Sequence, residues 1–266
     1  MLLLACASSP VSGSLEVLSY NVHGLPPEIT GDDTTGRMEQ IAPLLGAFDL
    51  LGVQEDWMED NHAILAAAVD LPTYARYNDA PEGKAYGAGL SSWASLDEVD
   101  RLEQTYAACN GYSDGAGDCF AGKGFVALRL AVGESAFDFY NSHLEAGSGD
   151  EDIAARAEHV DELIAAMNGW SEGRAVLFVG DTNLSGDDPV DAAEVARWED
   201  ATGVENACTI VGCPEPERID RLMLRSAGDV TLTAKDWRVE AEFVDDEGVP
   251  FSDHDAIGVT MDYAER

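Results

Sequence analysis

Positive charge is scarce in this sequence. Its 266 residues hold 15 Lys and Arg against 51 Asp and Glu, a formal net charge of −36. A field of that sign repels polyanions at long range, so a nucleic-acid partner is disfavoured. Arg218, Arg221 and Arg225 are scattered and form no basic stripe for a phosphate backbone. A bound divalent cation would reverse the field locally, which keeps a nuclease among the alternatives. Long apolar runs are also missing. No segment offers about 18 uninterrupted apolar residues, so none reads as a membrane-spanning helix. There is no internal repeat and no low-complexity tract, which leaves repeat architectures aside. Cysteine is sparse too, with five in all. Nine residues separate Cys109 from Cys119, four separate Cys208 from Cys213, and Cys6 stands alone. No histidine stands near either pair at a zinc-binding spacing. Both pairs sit among Gly, Pro, Asp and Asn, in loops that a local disulfide could staple. The expectation is an oxidising compartment, with four free thiols as the alternative.

Hydrophobic residues make up 45% of the chain, enough for a proper core. One domain is expected over residues 15–266, preceded by a small, polar tether at 1–14. "MLLLACASS" resembles a bacterial lipoprotein signal in which Cys6 becomes the lipidated residue, although its apolar stretch is short and no basic residue precedes it. A secreted or outer-membrane-anchored protein is the corresponding expectation.

The pattern along the chain alternates between strands and helices. "LEVLSYNV" (15–22) predicts a buried strand, followed by a loop dense in Gly, Pro and Asp. Met38, Ile41, Leu45 and Phe48 mark one helical face, with Pro43 implying a kink or a late start. "DLLGVQE" (49–55) predicts a strand and residues 57–71 an alanine-rich helix. Residues 81–124 are glycine-rich, without long periodicity, and are expected to hold short strands and the first disulfide loop. "FVALRLAV" and "FDFYNSHL", joined by "GES", predict a hairpin. Ile153, Ala157, Val160, Ile164 and Met167 predict an amphipathic helix, and "AVLFVGD" the strand after it. "RIDRLMLR", "DWRVEAEFV" and "DAIGVTMDY" read as further strands.

Five predicted strands adjoin a side chain that can bind a metal or move a proton. These are Asn21, Glu55, His143, Asp181 with Asn183, and Asp253 with His254 before the final strand. Singly, each is most simply a solvated turn residue. Together they include a glutamate and two histidines against hydrophobic strands, and strand ends on one side of a sheet converge on one mouth.

"SYNVHGL", "GVQED", "NSHLEAG", "VGDTN", "RIDRLML" and "SDHDAIGV" resemble, in order, the motifs of the endonuclease/exonuclease/phosphatase superfamily. That group includes secreted DNases, abasic-site nucleases, inositol-phosphate phosphatases and neutral sphingomyelinases. The likeness runs from about Leu15 to Tyr263. Within the group, "DCFAGKGFVALRL" and "SHLEAG" look like segments of secreted bacterial sphingomyelinases, where the latter reads His-Leu-Gln-Ala. The resemblance implies a DNase I-like, four-layer α/β sandwich: two mostly antiparallel sheets face to face, with helices outside.

The resemblance also implies a metal-dependent phosphoric ester hydrolase. Glu55 would be the direct ligand of Mg²⁺ (Mn²⁺ or Ca²⁺ being possible), with Asn21 beside it and Asp253 near the metal or its waters. Mg²⁺ suits such hard oxygen ligands. His254 would be the base, held in one tautomer by Asp220; Asp181 would orient water or itself act as base. Asn183 and His143 would contact the phosphate. His62 and His159 read as surface or partly buried histidines. His23 could touch substrate, and Lys123 could too, although a strand-start lysine is more often solvated. Asp187 and Asp188 read as loop carboxylates.

Three functions remain: an exported phosphodiesterase on a phospholipid headgroup, a secreted DNase-like nuclease, and a non-enzymatic binding module. A full catalytic set disfavours the third. No exposed hairpin with paired aromatics is evident for entering a bilayer, though a membrane surface is a possible partner. Arg218 and Arg221 flank Asp220, so a small phosphate pocket and a phosphomonoester substrate are possible. A monomer is expected.

Overall fold

The strand Ala175–Asp181 is apolar on both faces. Leu177 and Val179 belong to one buried cluster, Val176 and Phe178 to another. Such a strand must be covered on both sides, and the computed structural model provides a second sheet on one and helices on the other. Residues 11–112 and 118–266 are described. Cys6 and the lipoprotein-like segment lie outside them.

In chain order the elements are β1 (Ser12–Asn21), α1 (Pro27–Thr30), α2 (Thr34–Leu45), β2 (Leu50–Gln54), α3 (Glu59–Ala68), β3 (Thr73–Tyr77), β4 (Leu90–Ala94) and β5 (Glu98–Thr105). There follow β6 (Gly124–Val132), β7 (Ser135–His143), α4 (Asp150–Gly169), β8 (Ala175–Asp181), α5 (Pro189–Thr202), β9 (Glu205–Asn206) and α6 (Ala207–Val211). The chain ends with β10 (Asp220–Arg225), β11 (Val230–Ala234), β12 (Arg238–Val239) and β13 (Ile257–Glu265). One sheet runs β11-β13-β1-β2-β4-β3, with β12 on β13; the other runs β5-β6-β7-β8-β10-β9. Among the strands described, β1–β2 and β7–β8 pair in parallel and the rest antiparallel.

Three apolar clusters make the four layers. Val17, Leu50, Leu128, Phe139 and Leu177 fill the space between the sheets. Met38, Ile41 and Leu65 of α2 and α3 cover Leu18, Leu51 and Val53. Val160, Leu163 and Trp198 of α4 and α5 cover Tyr140, Val176 and Phe178. The sheets approach closely at Gly52, where an added Cβ would lie 2.2 Å from Val179 Cγ2 and 3.1 Å from the Asn141 amide carbon. Gly52→Ala is therefore expected to destabilise the fold by about 1–3 kcal/mol, measured as a lower denaturant midpoint at unchanged slope.

The sequence expectations hold for the β6–β7 hairpin, β8, β10, β13 and both disulfides, Cys109–Cys119 and Cys208–Cys213. Others need correction. β1 begins at Ser12 and not Leu15, because Ser12–Ser14 pair with Ala264–Asp262 and draw part of the expected tether into the sheet. α2 starts early, capped by Asp33 accepting from the Gly36 amide at 3.0 Å, and Pro43 falls in its last turn. Phe48 is buried beyond the end of that helix. The segment "DWRVEAEFV" supplies only the two residues of β12. Its chain then turns, with the Phe243 N–H on Glu240 O, and sends Phe243 into the core against Tyr20. The buried face of α4 includes Arg156 and His159, with Ile164 packed at its edge, and does not include Ile153 or Ala157. Arg156 donates to the Glu145 and Gly147 carbonyls and pairs with Asp191, so a charged residue holds a core position. α5 and strands β3, β9 and β11 carry no strong periodicity and were not evident from the sequence.

Candidate active site

The two parallel strand pairs lie at the centres of their sheets, and their C-terminal ends open on the same mouth. Register sets the neighbours there. Asn21 pairs with Gln54, immediately before Glu55; in the other sheet Asp181 stands between His143 and Asp220. A buried amide joins the two groups: Asn21 Nδ2 donates to Glu55 Oε1 at 2.9 Å and to Asp181 Oδ2 at 3.0 Å. His254 arrives on the loop before β13, its Nδ1 2.9 Å from Asp220 Oδ2 and its Nε2 3.5 Å from Asp181 Oδ2. That loop is pinned by Ser252 Oγ, which donates to Asn21 O at 2.7 Å and accepts the His254 N–H at 3.2 Å.

Backbone strain gathers at the same place. Among the described residues, the non-glycine positions with positive φ are His23 (48°), Glu55 (59°) and Asn183 (50°), and all three line the cleft. Two of them share one device. The Asn21 side chain accepts from His23 N–H, and the Asp181 side chain from Asn183 N–H, each at 3.0 Å. Strained positions of this kind persist only where surrounding contacts over-determine them, and they cluster at functional sites.

Electrostatics tie the residues together. Burial, followed by the Asp220 charge, pushes Asp181 up to about 7. Burial works to lower His254, but its hydrogen bond and charge pairing with Asp220, together with Asp181, raise it to about 10. Nε2 and Oδ2 face each other, so the charge on either group shifts the titration of the other. His143 is held neutral, its pKa well below the usual value through burial and the Lys123 charge. Its Nε2 lies 3.2 Å from Lys123 Nζ and 3.4 Å from Asp181 Oδ2.

These groups form one end of a cleft of about 800 Å³. The same cleft is also lined by apolar and aromatic side chains, Leu25, Ile29, Trp57, Tyr86, Tyr112 and Phe120. Among the described residues lining it, Lys123 is the single Lys or Arg. A divalent cation fits this donor set: Glu55 Oε2 is buried without a hydrogen-bond partner, and two further carboxylates crowd close by. A cation would satisfy the first and relieve the mutual repulsion of the others. Asp181, Asp220 and His254 have donor atoms within 4.8 Å of one another. Asp220 is already taken up by His254 Nδ1, which marks that trio as proton-handling.

The site thus gathers Asn21, Glu55, His143, Asp181, Asp220 and His254. Asn183 adjoins them, donating to Leu144 O at 3.2 Å. Asp253 stands at the exposed rim, 3.2 Å from His23 Nδ1. Several readings of the sequence are overturned. Lys123 is 5% exposed, donating to Asp118 Oδ2 at 3.0 Å and Leu144 O at 2.7 Å, so it is not a solvated strand-start lysine. Trp57 precedes α3 and walls the cleft. His62 is buried, bonded to Asp56 and, at 2.6 Å, to Tyr74 OH. His159 is fully buried, stacked on Tyr106 at 4.0 Å and lowered by burial to about 4. Arg221 donates to Pro216 O and Leu184 O, and Arg218 pairs with Glu215 and Asp255, so the two do not form a phosphate pocket around Asp220. Asp188 caps α5, accepting from the Val190 and Asp191 amides. Lys123 lay within the noted Lys-Gly-Phe stretch; Trp57 and Tyr86 carried no signal beyond their aromaticity.

Facing sheets with carboxylates and imidazoles at their joint strand ends define the class. The chain belongs to the endonuclease/exonuclease/phosphatase family, whose family 2 model matches residues 56–201. It is 30% identical over 279 residues to a sphingomyelinase of Mycobacterium tuberculosis, covering 95% of this chain and 54% of that one. The chain therefore spans about half the length of the curated mycobacterial relatives it matches. Among solved structures, sphingomyelinase C from Streptomyces griseocarneus superposes with a TM-score of 0.70 at 16% identity, covering 93% of this chain and 99% of that one. A beta toxin mutant from Staphylococcus aureus, with bound magnesium ions, gives 0.68 at 15% identity, covering 93% and 99%.

Proposed function

We propose that this chain is an exported, Mg²⁺-dependent phosphodiesterase that cleaves a phospholipid headgroup ester, of the sphingomyelinase or phospholipase C type. The observation that carries this reading is a cleft whose lining combines carboxylates and imidazoles with six apolar or aromatic side chains. Its shortage of basic residues is unsuited to tracking a nucleic-acid backbone. The likeness to sphingomyelinases in sequence supports the same substrate class. The two short-range disulfides support export, with Cys6 as the point of any lipid attachment.

Glu55 and Asn21 would hold Mg²⁺, with Asp253 at its water shell; the cation supplies Lewis-acid stabilisation of the phosphoryl oxygens. The His254–Asp181 pair accepts the proton of the attacking water, and Asp220 fixes His254 so that Nε2 faces the reaction. Asn183, His143 and the Lys123 ammonium donate hydrogen bonds to phosphate oxygens as charge builds on them.

Proton and cation compete for the buried carboxylates. Asp181, raised to about 7, is protonated below that pH, so the Mg²⁺ concentration for half-maximal turnover is expected to rise as pH falls through about 7. Titrations of rate against Mg²⁺ at several pH values test this, and a constant midpoint would contradict it.

At the lips of the cleft, Ile29 (62% exposed), Tyr112 (54%) and Phe120 (48%) offer apolar side chains to a lipid surface. Replacing Ile29 and Phe120 together with Ser is expected to weaken vesicle binding by about tenfold or more in sedimentation assays, from the lost apolar burial. The whole proposal is tested by assaying the purified protein with Mg²⁺ on sphingomyelin, phosphatidylcholine, plasmid DNA and an aryl phosphodiester. Faster cleavage of DNA than of either lipid would overturn it in favour of a nuclease.

A further inference from the structure

Glu55 holds a left-handed backbone conformation (φ 59°) that a glutamate adopts only under constraint, and Asn21 braces only its side chain. The backbone is held through the residue that follows. Asp56 N–H donates to Gly89 O at 2.8 Å, just ahead of β4, and the Asp56 carbonyl accepts from Arg76 Nη2 at 3.4 Å. A Cβ on Gly24 would stand 2.2 Å from the Glu55 carbonyl oxygen, so the loop after β1 closes on the same peptide. The Asp56 side chain does not line the cleft. Asp56 is 1% exposed, and its Oδ2 accepts from Ser91 Oγ at 2.6 Å and is also bonded to His62 Nδ1.

Burying a carboxylate this deeply is costly, and the phosphate chemistry makes no use of it. His62 is fixed in turn. Its Nε2 lies 2.6 Å from Tyr74 OH, and its ring stacks on Tyr74 and Trp93 with centroids 5.7 and 6.1 Å apart. Those two rings are cross-strand neighbours on β3 and β4. The His62 N–H donates to Met58 O at 2.8 Å, which sets the residue in the first turn of α3. Ser91, His62 and Asp56 have the composition of a hydrolytic triad without its geometry. Ser91 is fully buried and bonds the carboxylate directly, and the far imidazole nitrogen is taken by Tyr74. Three elements, α3, β3 and β4, thus converge on one carboxylate immediately after Glu55.

We propose that Asp56 and His62 are positioning residues for Glu55, a clamp on the peptide that follows it. The clamp keeps the Glu55 carboxylate aimed, with Oε1 on Asn21 Nδ2 and Oε2 without a hydrogen-bond partner. This deepens the phosphodiesterase reading and rests on its assignment of Glu55 to the metal. A ligand whose supports are loosened binds its ion more weakly, because the cost of ordering it moves to the moment of binding.

Calorimetry with Mg²⁺ alone tests this, the heat that is missing from Glu55→Gln being the heat of the site. His62→Ala is expected to weaken that binding by about tenfold or more, and His62→Asn, which keeps a donor near the place of Nδ1, to regain most of it. In turnover the loss is expected to fall on the Mg²⁺ midpoint more than on the KM for the ester. Val230→Ala, a buried position on the edge strand β11, is the control for lost stability. Unchanged Mg²⁺ affinity in folded His62→Ala, or an equal loss in Val230→Ala, would overturn the clamp. If His62→Ala does not fold, Ser91→Ala decides, since it deletes a single bond to Asp56: a severalfold weaker affinity supports the clamp and a wild-type value overturns it. Wild-type protein that binds Mg²⁺ through Glu55 but cleaves no ester would sink the phosphodiesterase reading and leave the clamp to the binding data. Ester cleavage with Mg²⁺ affinity unaltered across the variants would overturn the clamp alone. Absence of any Glu55-dependent heat would overturn both.

Discussion

Glu55→Gln is expected to lower Mg²⁺-supported turnover by about 10³-fold or more, because a bound metal contributes several kcal/mol of charge stabilisation and each ~1.4 kcal/mol is tenfold in rate. The fold should survive the change. Gln has nearly the same volume, and its amide oxygen can still accept from Asn21 Nδ2, the bond that now spans 2.9 Å. What disappears is the negative charge on the oxygen that has no protein partner. Since Glu55 shares Asn21 with Asp181, removing one charge from this group relieves repulsion without breaking a pair. The unfolding midpoint of the metal-free variant is therefore expected to stay level or rise, the usual sign of a site that trades stability for function. Turnover at the wild-type rate in Mg²⁺ would end the assignment of Glu55.

His254→Ala comes second in size, at about 10²- to 10⁴-fold in kcat. Alanine also strands Asp220, 6% exposed, without its imidazole partner, and such a loss costs roughly 1–3 kcal/mol of stability. His254→Gln separates the two effects. Its side chain can still donate to Asp220 but has no titrating proton to exchange with Asp181. A comparable loss of rate in a variant with near-native stability would identify proton transfer as the function of His254. Recovery of most activity in His254→Gln would reduce the residue to a spacer and leave Asp181 as the sole acceptor.

Much of the site was legible in the sequence, because short, largely buried strands end in recognisable polar residues. Asn21, Glu55, His143 and Asp181 all sit at or just past the last apolar position of a strand. What local pattern could not provide was pairing. Asp181 lies between His143 and Asp220 because β8 lies between β7 and β10, a relation across tens of residues. Reading failed where polar side chains are buried by partners distant in sequence. Lys123, Arg156, His62 and His159 each find acceptors or aromatic faces that no local window contains.

The sequence by itself determined the alternation of strands and helices, the two cysteine pairs (though not that Cys208 would lie in α6), the acidic field and the order of the motifs. Those properties follow from periodicity, spacing and charge, which are additive along the chain. Tertiary structure alone decided that Asn21 would brace two carboxylates from opposite sheets, that Trp57 would leave its expected helix for the cleft wall, and that of the arginines beside Asp220 one, Arg221, would turn to backbone carbonyls and the other, Arg218, to carboxylates. The physical reason is that buried polar groups must be satisfied by whatever the fold brings within reach, and that reach exists only once the two sheets have closed on each other.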